Sequence, residues 1–246
     1  MLFFIKKCYR KIKKKFSYTA EAEKYDFNVS NPLGGNGERV DIQVNENIIF
    51  DEMDIYQKNH WKRYEFAKEI INDNDICGDF ACGTGYGSIL ISDKASAVIG
   101  ADLNSTVIDK IKERYNAFKN VSFFNENILN LSYTNYFDSI ISFETLEHFE
   151  EIDIKKLLLI YSKALKENGR LIFSTPYMQE QSEQAIKMGF HLTFYINEVR
   201  IRNWLEESGL QLNVIKYQNY DTHIIGSNPD KKEFIICVAS KNLISA

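Results

Sequence analysis

A glycine-rich turn and the acidic residue that follows it have the types and spacing to bind a nucleoside. Residues 79–87 read DFACGTGYG after an apolar run, and Asp102 closes the next apolar run. Glycines at alternate positions allow positive φ and let the backbone pass close to a ligand. A carboxylate placed like Asp102 can accept hydrogen bonds from two ribose hydroxyls. Strand, turn, helix, strand and acid within about 25 residues are typical of nucleoside sites in doubly wound α/β sheets.

A second cluster of reactive side chains is Glu144, Glu147 and His148, in the sequence ETLEH after the apolar run 137–143. Open α/β sheets place their sites at the carboxyl ends of strands, so this position favours chemistry. Three interpretations remain open. The imidazole suits general base catalysis, the cluster as a whole suits a divalent ion, and the acids alone suit the start of a helix. His191, in an aromatic loop, is a candidate second base, a fourth metal ligand or a packed residue.

Alternating strands and helices must position these side chains. Apolar runs predict strands at 76–81, 97–102, 121–125, 137–143, 170–175, 211–217 and 233–239. Apolar residues at helical spacing predict a helix from Asp51 to about Ile71 and further helices around 108–118 and 157–165. Such alternation builds a doubly wound parallel sheet with helices on both faces. A connection without helical spacing precedes the last strand, so we expect a seven-stranded, mainly parallel sheet whose last strand is antiparallel.

Composition and charge limit the class of protein. The 246 residues, 44% of them hydrophobic, suit one α/β domain with a modest extension. Four scattered cysteines favour reduced thiols, and the absence of an apolar run of 18 residues or of a secretory signal predicts a cytoplasmic protein. Beyond residue 15, 23 basic residues stand against 34 acidic ones. This acidic body argues against nucleic acid as a partner.

The chain divides into three predicted segments. Residues 1–16 form a basic amphipathic tail, with seven basic and no acidic residues among the first fifteen. Such a tail is either solvated or in weak contact with the inner face of a membrane, where a basic residue gains about 1 kcal/mol. Residues 17–50 contain a turn-rich loop and then alternating apolar residues, which predict an extended segment or hairpin and a candidate lid. Residues 51–246 form the main domain.

The spacing of the glycines distinguishes two kinds of ligand. Dinucleotide-binding folds use G-x-G-x-x-G, whereas this chain has G-x-G-x-G preceded by Asp79 and by Ala81-Cys82. This arrangement resembles the first motif of class I S-adenosylmethionine-dependent methyltransferases, and the likeness runs from about His60 to Ala239. The resemblance implies a Rossmann-like methyltransferase fold, S-adenosylmethionine as cofactor and S-adenosylhomocysteine as product.

The same resemblance implies roles for individual residues. Asp79 approaches the methionine amino group, Asp102 binds the ribose and Asn127 accepts from the adenine amine. Arg63 pairs with the methionine carboxylate, because its fork can bind a carboxylate in two places. The full set of expected cofactor-binding residues is Tyr56, His60, Arg63, Asp79, Ala81, Gly83, Gly85, Tyr86, Asp102, Leu103, Asn127, Ile128 and Phe143.

The segment ETLEH resembles that of ubiquinone-biosynthesis O-methyltransferases, in which it holds a divalent ion near the acceptor hydroxyl. The resemblance therefore implies Mg or Mn at Glu144, Glu147 and His148, where a metal would lower the pKa of an acceptor hydroxyl. The strand end 174–176, STP, resembles methyltransferases found with bacterial surface-glycan genes. Related enzymes carry a histidine near the position of His191, facing the acceptor. The expected catalytic residues are His148, Glu144 and His191.

These likenesses predict O-methylation of a small acceptor, such as a sugar or sugar nucleotide of a bacterial capsule or lipopolysaccharide. Amine, phosphoryl-group and quinone-precursor acceptors remain alternatives. A function of a different class is also open, namely a non-catalytic nucleoside-binding scaffold, because a fold alone does not give a function.

Overall fold

The structure is a computed structural model that describes residues 39–44, 49–183, 186 and 191–241. Through them runs a mixed sheet of eight strands in the order β3-β2-β1-β4-β5-β8-β6-β7. The strands are β1 Ile76–Phe80, β2 Ala97–Asp102, β3 Val121–Asn125, β4 Phe137–Phe143, β5 Leu165–Pro176, β6 Leu210–Gln218, β7 Ile225–Gly226 and β8 Phe234–Lys241.

Strands β1 to β5 pair in parallel, whereas β8 runs antiparallel to both β5 and β6. The predicted fold class, a mainly parallel sheet with an antiparallel last strand, is confirmed. The two-residue strand β7 pairs with the end of β6 and was not predicted. Its sequence is too short to produce an alternating pattern.

Helices pack on both faces of this sheet. The α-helices with described ends are α1 Ile55–Ile70, α2 Tyr86–Ile91, α3 Ser105–Arg114, α4 Glu151–Ala164 and α5 Glu198–Glu207. Neighbouring residues of β4 point to opposite faces: Ile140 packs with α4 and α5, and Ile141 packs with α1 and α2. Both side chains are fully buried, so the sheet is enclosed by core on both sides.

Helix α1 begins later than its predicted start at Asp51, which was wrong. Asp51 lies in a short 3-10 turn, Phe50–Glu52, and the N-cap is Asp54. The Asp54 side chain accepts from the backbone N–H of Gln57 at 2.8 Å, and the Gln57 side chain accepts from the backbone N–H of Asp54 at 3.0 Å. This reciprocal capping box satisfies two N–H groups that the start of a helix leaves without partners.

Two glycines make room for aromatic rings near the glycine-rich turn. A Cβ atom on Gly78 would lie 2.8 Å from the ring of Phe80, so this ring fills the space that a larger side chain would take. A Cβ atom on Gly87 would lie only 1.9 Å from the ring of Tyr64. Gly87 therefore allows α1 to approach the turn closely.

Within the described residues, no helix combines the length and the apolar character that crossing a membrane requires. The basic tail 1–16 and residues 17–38 lie outside the described residues. Membrane contact through the tail therefore stays a prediction, as does the division of the chain into three segments.

Candidate active site

The turn between β1 and α2 brings backbone close to the carboxyl ends of the central strands. Gly83 and Gly85 have φ of +53° and +76°, a region that favours glycine, and Ala81 also has a positive φ of +62°. A Cβ atom on Gly85 would lie 2.9 Å from the ring of Phe123 in β3. Both the conformation and the close packing therefore require glycine at position 85.

Asp79 lies in β1, beside this turn, and is almost completely buried. Its carboxylate accepts from the Ser88 hydroxyl at 2.6 Å and from the Tyr64 hydroxyl at 3.0 Å. Burial raises the pKa of Asp79 to about 6, although both hydrogen bonds act in the opposite direction. Because both hydroxyls are neutral, a cationic group on a ligand would stabilise the ionised carboxylate.

Asp102 ends β2 and lies across the turn from Asp79. Its Oδ2 accepts from the backbone N–H of Gly83 at 3.1 Å, and its Oδ1 accepts from the backbone N–H of Asn104 at 2.9 Å. The Arg39 guanidinium also donates to Oδ1, at 3.1 Å. Asp102 is thus held in place by the turn on one side and by an arginine on the other.

Residues 39–44, here called the strap, cross over the glycine-rich turn. The Thr84 hydroxyl donates to the carbonyl of Val40 at 3.0 Å, which links the strap to the turn. Asp41 is buried, pairs with Arg114 of α3 at 2.8 Å and accepts through its carbonyl from Gln57 of α1 at 2.8 Å. The sequence predicted an extended segment here but not these contacts. Arg39 and Asp41, which alternate with the apolar Val40 and Ile42, were the signal available for them.

Arg63 lies buried at the opposite end of the turn, on α1. Its Nε donates to Gln218 at 2.8 Å, and its guanidinium stacks on the ring of Phe234 at 4.2 Å. Its Nη1 lies 3.4 Å from Glu144 Oε1 and has no hydrogen-bond partner among the described residues. The Glu144 carboxylate lies near this nitrogen without a hydrogen bond to it, so a further hydrogen-bond acceptor, such as an anionic ligand group, fits this position.

Aromatic residues surround Arg63 and Asp79. His60 Nδ1 lies 3.0 Å from the Tyr86 hydroxyl, and burial, followed by the charge of Arg63, lowers the pKa of His60. The Tyr64 ring meets the rings of Tyr86 and Phe143 edge to face. Tyr56, by contrast, is 41% exposed at the start of α1. The expected cofactor residues on α1 therefore extend from the buried interior to the surface.

The expected adenine segment follows β3. The Asn127 side-chain oxygen accepts from the backbone N–H of Leu129 at 3.0 Å and so caps a short 3-10 turn, Ile128–Asn130. An amide oxygen has two lone pairs, so one remains for a ligand. Ile128 is buried, whereas Leu103 is 71% exposed after β2.

The second cluster separates into two parts. Glu144 has a φ of +48°, accepts from the Ser174 hydroxyl at 2.7 Å and faces Arg63. Glu147 is buried and accepts from the Thr175 hydroxyl at 3.0 Å. Glu144 therefore belongs with the residues around Arg63, and this arrangement differs from the expected metal set.

His191 lies next to His148, with ring centres 5.1 Å apart. The backbone N–H of Leu192 donates to the carbonyl of Glu147 at 2.7 Å, which holds the loop of His191 against the cluster. His191 Nδ1 lies 2.6 Å from the side-chain oxygen of Gln179, and burial, followed by the charge of His148, lowers the pKa of His191 to about 4. Within the described residues, Glu147, His148 and His191 each offer one ligand atom, and these atoms lie within 4.8 Å of one another.

The described geometry therefore consists of two neighbouring parts. One has a buried acid, a second acid and a buried arginine around a glycine-rich turn. The other has two histidines and a buried glutamate beyond β4 and β5. Residues 71–224, more than half of the chain, match the family model of a methyltransferase domain. The chain belongs to the methyltransferase-domain family.

Solved structures share the fold of this methyltransferase. The N-methyltransferase NodS from Bradyrhizobium japonicum WM9, in complex with S-adenosyl-L-homocysteine, is 13% identical with a TM-score of 0.63, over 92% of this chain and 99% of NodS. A TehB-like SAM-dependent methyltransferase from Corynebacterium glutamicum is 18% identical with a TM-score of 0.56, over 74% of this chain and 88% of that one.

The [4+2]-cyclase SpnF is 14% identical with a TM-score of 0.59, over 75% of this chain and 81% of that one. At such identities these likenesses show the fold alone. No curated protein matches the chain. The family assignment makes this protein a methyltransferase, and its fold is the one that S-adenosylmethionine-dependent methyltransferases use.

Proposed function

We propose that this methyltransferase transfers the methyl group of S-adenosylmethionine to an oxygen of a small acceptor. The observation that carries the proposal is the set of charges around the glycine-rich turn. Asp79 is a buried acid with neutral partners, Arg63 Nη1 is buried without a hydrogen-bond partner among the described residues, and Asp102 ends the neighbouring strand. These groups match the ammonium, the carboxylate and the ribose hydroxyls of this donor.

Each group of the donor has a partner in this arrangement. Asp79 receives the ammonium, because ionising a buried carboxylate is costly until a cation lies beside it. Arg63 receives the carboxylate through its Nη atoms, and Asn127 and Ile128 are the residues that we assign to the adenine. We call these residues, with the turn itself, the donor site. S-adenosylmethionine supplies a methyl group on a sulfonium, which is already a good leaving group.

The protein then has to align an acceptor and remove its proton. His148 is the candidate base, because an imidazole can take a proton near neutral pH and lies beyond β4, where such sheets place their chemistry. His191 lies beside His148 and is held by Gln179, so we assign it to a second wall of the proposed acceptor pocket. Glu144, between Ser174 and Arg63, links this pocket to the donor site.

A sugar or sugar nucleotide of a capsule or lipopolysaccharide is the proposed acceptor. The likeness of the β5 end Ser174-Thr175-Pro176 and of His191 to surface-glycan enzymes supports this choice. Amine, phosphoryl-group and quinone-precursor acceptors are the alternatives.

A divalent ion is a second candidate mechanism, and one observation favours it. Glu147, His148 and His191 offer an oxygen and two nitrogens close enough to share one ion. A carboxylate and two imidazoles suit a divalent transition-metal ion, and Mn²⁺ is the one that the family resemblance implies. The Thr175 hydroxyl would then orient the Glu147 carboxylate, as hydrogen bonds around metal ligands commonly do.

Calorimetric titration with S-adenosylmethionine and S-adenosylhomocysteine tests the donor. Methyl transfer from labelled S-adenosylmethionine to a panel of sugar nucleotides, amines and phenols then tests the acceptor. Binding followed by labelling of a sugar nucleotide supports the proposal. Binding without labelling of any panel member favours the scaffold function, and absence of binding contradicts the donor assignment.

A further inference from the structure

Gln218, at the end of β6, ties the far side of the sheet to helix α1. Its side chain is completely buried. Its oxygen accepts from Arg63 Nε at 2.8 Å, and its nitrogen donates to the carbonyl of Asn59 at 3.0 Å. Phe234 of β8 pairs in register with Gln218 and stacks on the same guanidinium at 4.2 Å. The adjacent strands β6 and β8 thus contact the Arg63 guanidinium at its Nε and on one face.

This hold determines which N–H groups of Arg63 remain for a ligand. A guanidinium has five N–H donors fixed in one plane. The bond to Gln218 uses Nε, and the ring of Phe234 sets the plane, so the two Nη atoms must point away from β6. Nη1 lies on the side of Glu144 and is buried without a hydrogen-bond partner among the described residues.

We propose that Gln218 is a positioning residue that aims the Arg63 fork at the carboxylate of the methyl donor. The inference rests on the proposed donor site. Arginine binds a carboxylate strongly only when both N–H groups of one edge meet it in plane, so a guanidinium free to rotate would lose affinity. Gln218 prevents that rotation without adding a charge.

A neutral amide is the side chain that this role requires. A carboxylate at position 218 would add a second anion to the one that Glu144 already places beside Arg63, and it would oppose the carboxylate of the donor. An apolar side chain of similar length would leave Nε buried without a partner. Both substitutions should weaken binding of the amino-acid part of the donor. Its nucleoside part binds at Asp102 and Asn127 in the proposed donor site.

The test compares two ligands that differ in that part, in the full-length protein. S-adenosylhomocysteine carries the carboxylate and ammonium, and 5′-methylthioadenosine lacks both. For Gln218→Met and Gln218→Glu we expect about tenfold or greater loss of affinity for S-adenosylhomocysteine by calorimetry. Affinity for 5′-methylthioadenosine should stay within about twofold. Arg63→Met should show the same pattern, and Arg63→Met with Gln218→Met should lose little more than Arg63→Met alone.

Asn120→Leu is the matched control. The Asn120 amide likewise bridges backbone carbonyls, those of Ser92 and Ala95, but at the amino ends of the strands. It should change the affinity for neither ligand. If Gln218→Met does not fold, Gln218→Glu keeps the buried hydrogen-bond acceptor and carries the test.

The outcomes separate this inference from the proposed function. Absence of binding of both ligands to the unaltered protein contradicts the donor site as a whole. Loss of S-adenosylhomocysteine affinity in Arg63→Met but not in either Gln218 variant overturns only the role of Gln218. Equal losses for both ligands in the Gln218 variants also overturn it, because they indicate a general effect on the fold.

Discussion

Arg39 and Asp102 form an ion pair at the residue that is expected to bind the ribose of the methyl donor. Arg39 Nη2 lies 3.1 Å from Asp102 Oδ1, and the backbone N–H groups of Asn104 and Gly83 also donate to this carboxylate. An ionised carboxylate has about four lone pairs, and the described residues use three of them. Two ribose hydroxyls would need two lone pairs, so the ion pair would compete with a ribose that binds at Asp102.

Removing Arg39 is therefore expected to strengthen donor binding. The pair is partly exposed, and such pairs contribute about 0.2–1 kcal/mol, so Arg39→Met should lower the Kd for S-adenosylhomocysteine by up to about fivefold. Calorimetry measures this change, and Lys119→Met, an exposed change after α3, is the control. A higher Kd in Arg39→Met would mean that Arg39 contacts the donor instead of competing with it.

Asp102→Ala should have the opposite effect. Each hydrogen bond from a ribose hydroxyl to the carboxylate is charge-assisted and contributes about 1.5–3 kcal/mol, so loss of both should weaken binding at least 100-fold. The melting temperature should fall little, because Arg39 is partly exposed and Gly83 and Asn104 are only half-buried. Unchanged affinity in a folded variant would remove Asp102 from the donor site.

Asp79→Asn should stabilise the ligand-free protein while it abolishes tight donor binding. The pKa of Asp79 is about 6, above the ordinary value of 3.8. Between these values the folded state keeps a proton that the unfolded state has lost, so the contribution of Asp79 to stability falls as pH rises from about 4 to 6. The gain in melting temperature in Asp79→Asn should therefore grow over this range and stay constant above about pH 7.

Thermal melts from pH 4 to 8, with Asp109→Asn on the exposed side of α3 as control, check this prediction. If Asp79 binds the donor and destabilises the ligand-free protein, Asp79→Asn should show both a higher melting temperature and weaker S-adenosylhomocysteine binding than the unaltered protein. A lower melting temperature at pH 7 would show that the hydrogen bonds from Ser88 and Tyr64 outweigh the cost of burying the charge.

Local sequence patterns predicted the sheet well and the contacts across it poorly. Strands 97–102, 121–125 and 137–143 have the predicted bounds. Strands β2 and β4 are mostly buried and are apolar runs between polar turns, whereas in the edge strand β3 only Phe123 is buried. Gln218 and Arg39 were missed because each binds a residue far away in sequence, 155 and 63 positions respectively. No periodicity records such a contact.

The position of Glu144 illustrates the same limit. The sequence grouped Glu144, Glu147 and His148 of ETLEH as one cluster that suits a divalent ion. In the structure Glu144 precedes the short 3-10 turn Leu146–His148 and has a left-handed backbone, which directs its side chain to Ser174 and Arg63. A backbone conformation of this kind is set by the end of β4 and cannot be inferred from spacing.

Whether His148 acts as a base or as a metal ligand can be decided by comparing two experiments. If it acts as a base without metal, His148→Ala should lower kcat about 100- to 10,000-fold with little change in the Kd of the donor, and a chelator should have no effect. We expect this result, with Glu147→Gln losing less, because the Glu147 carboxylate already accepts from Thr175.

If a divalent ion is required instead, a chelator should abolish activity and Mn²⁺ or Mg²⁺ should restore it. Glu147→Gln, His148→Ala and His191→Ala should then lose activity to a similar extent, because each removes one ligand of the same ion. Glu144→Gln distinguishes the two parts of the cluster in either case. Glu144 faces Arg63, so Glu144→Gln should alter the Kd of the donor. A change in metal dependence alone would instead indicate that Glu144 is a metal ligand, as the sequence predicted.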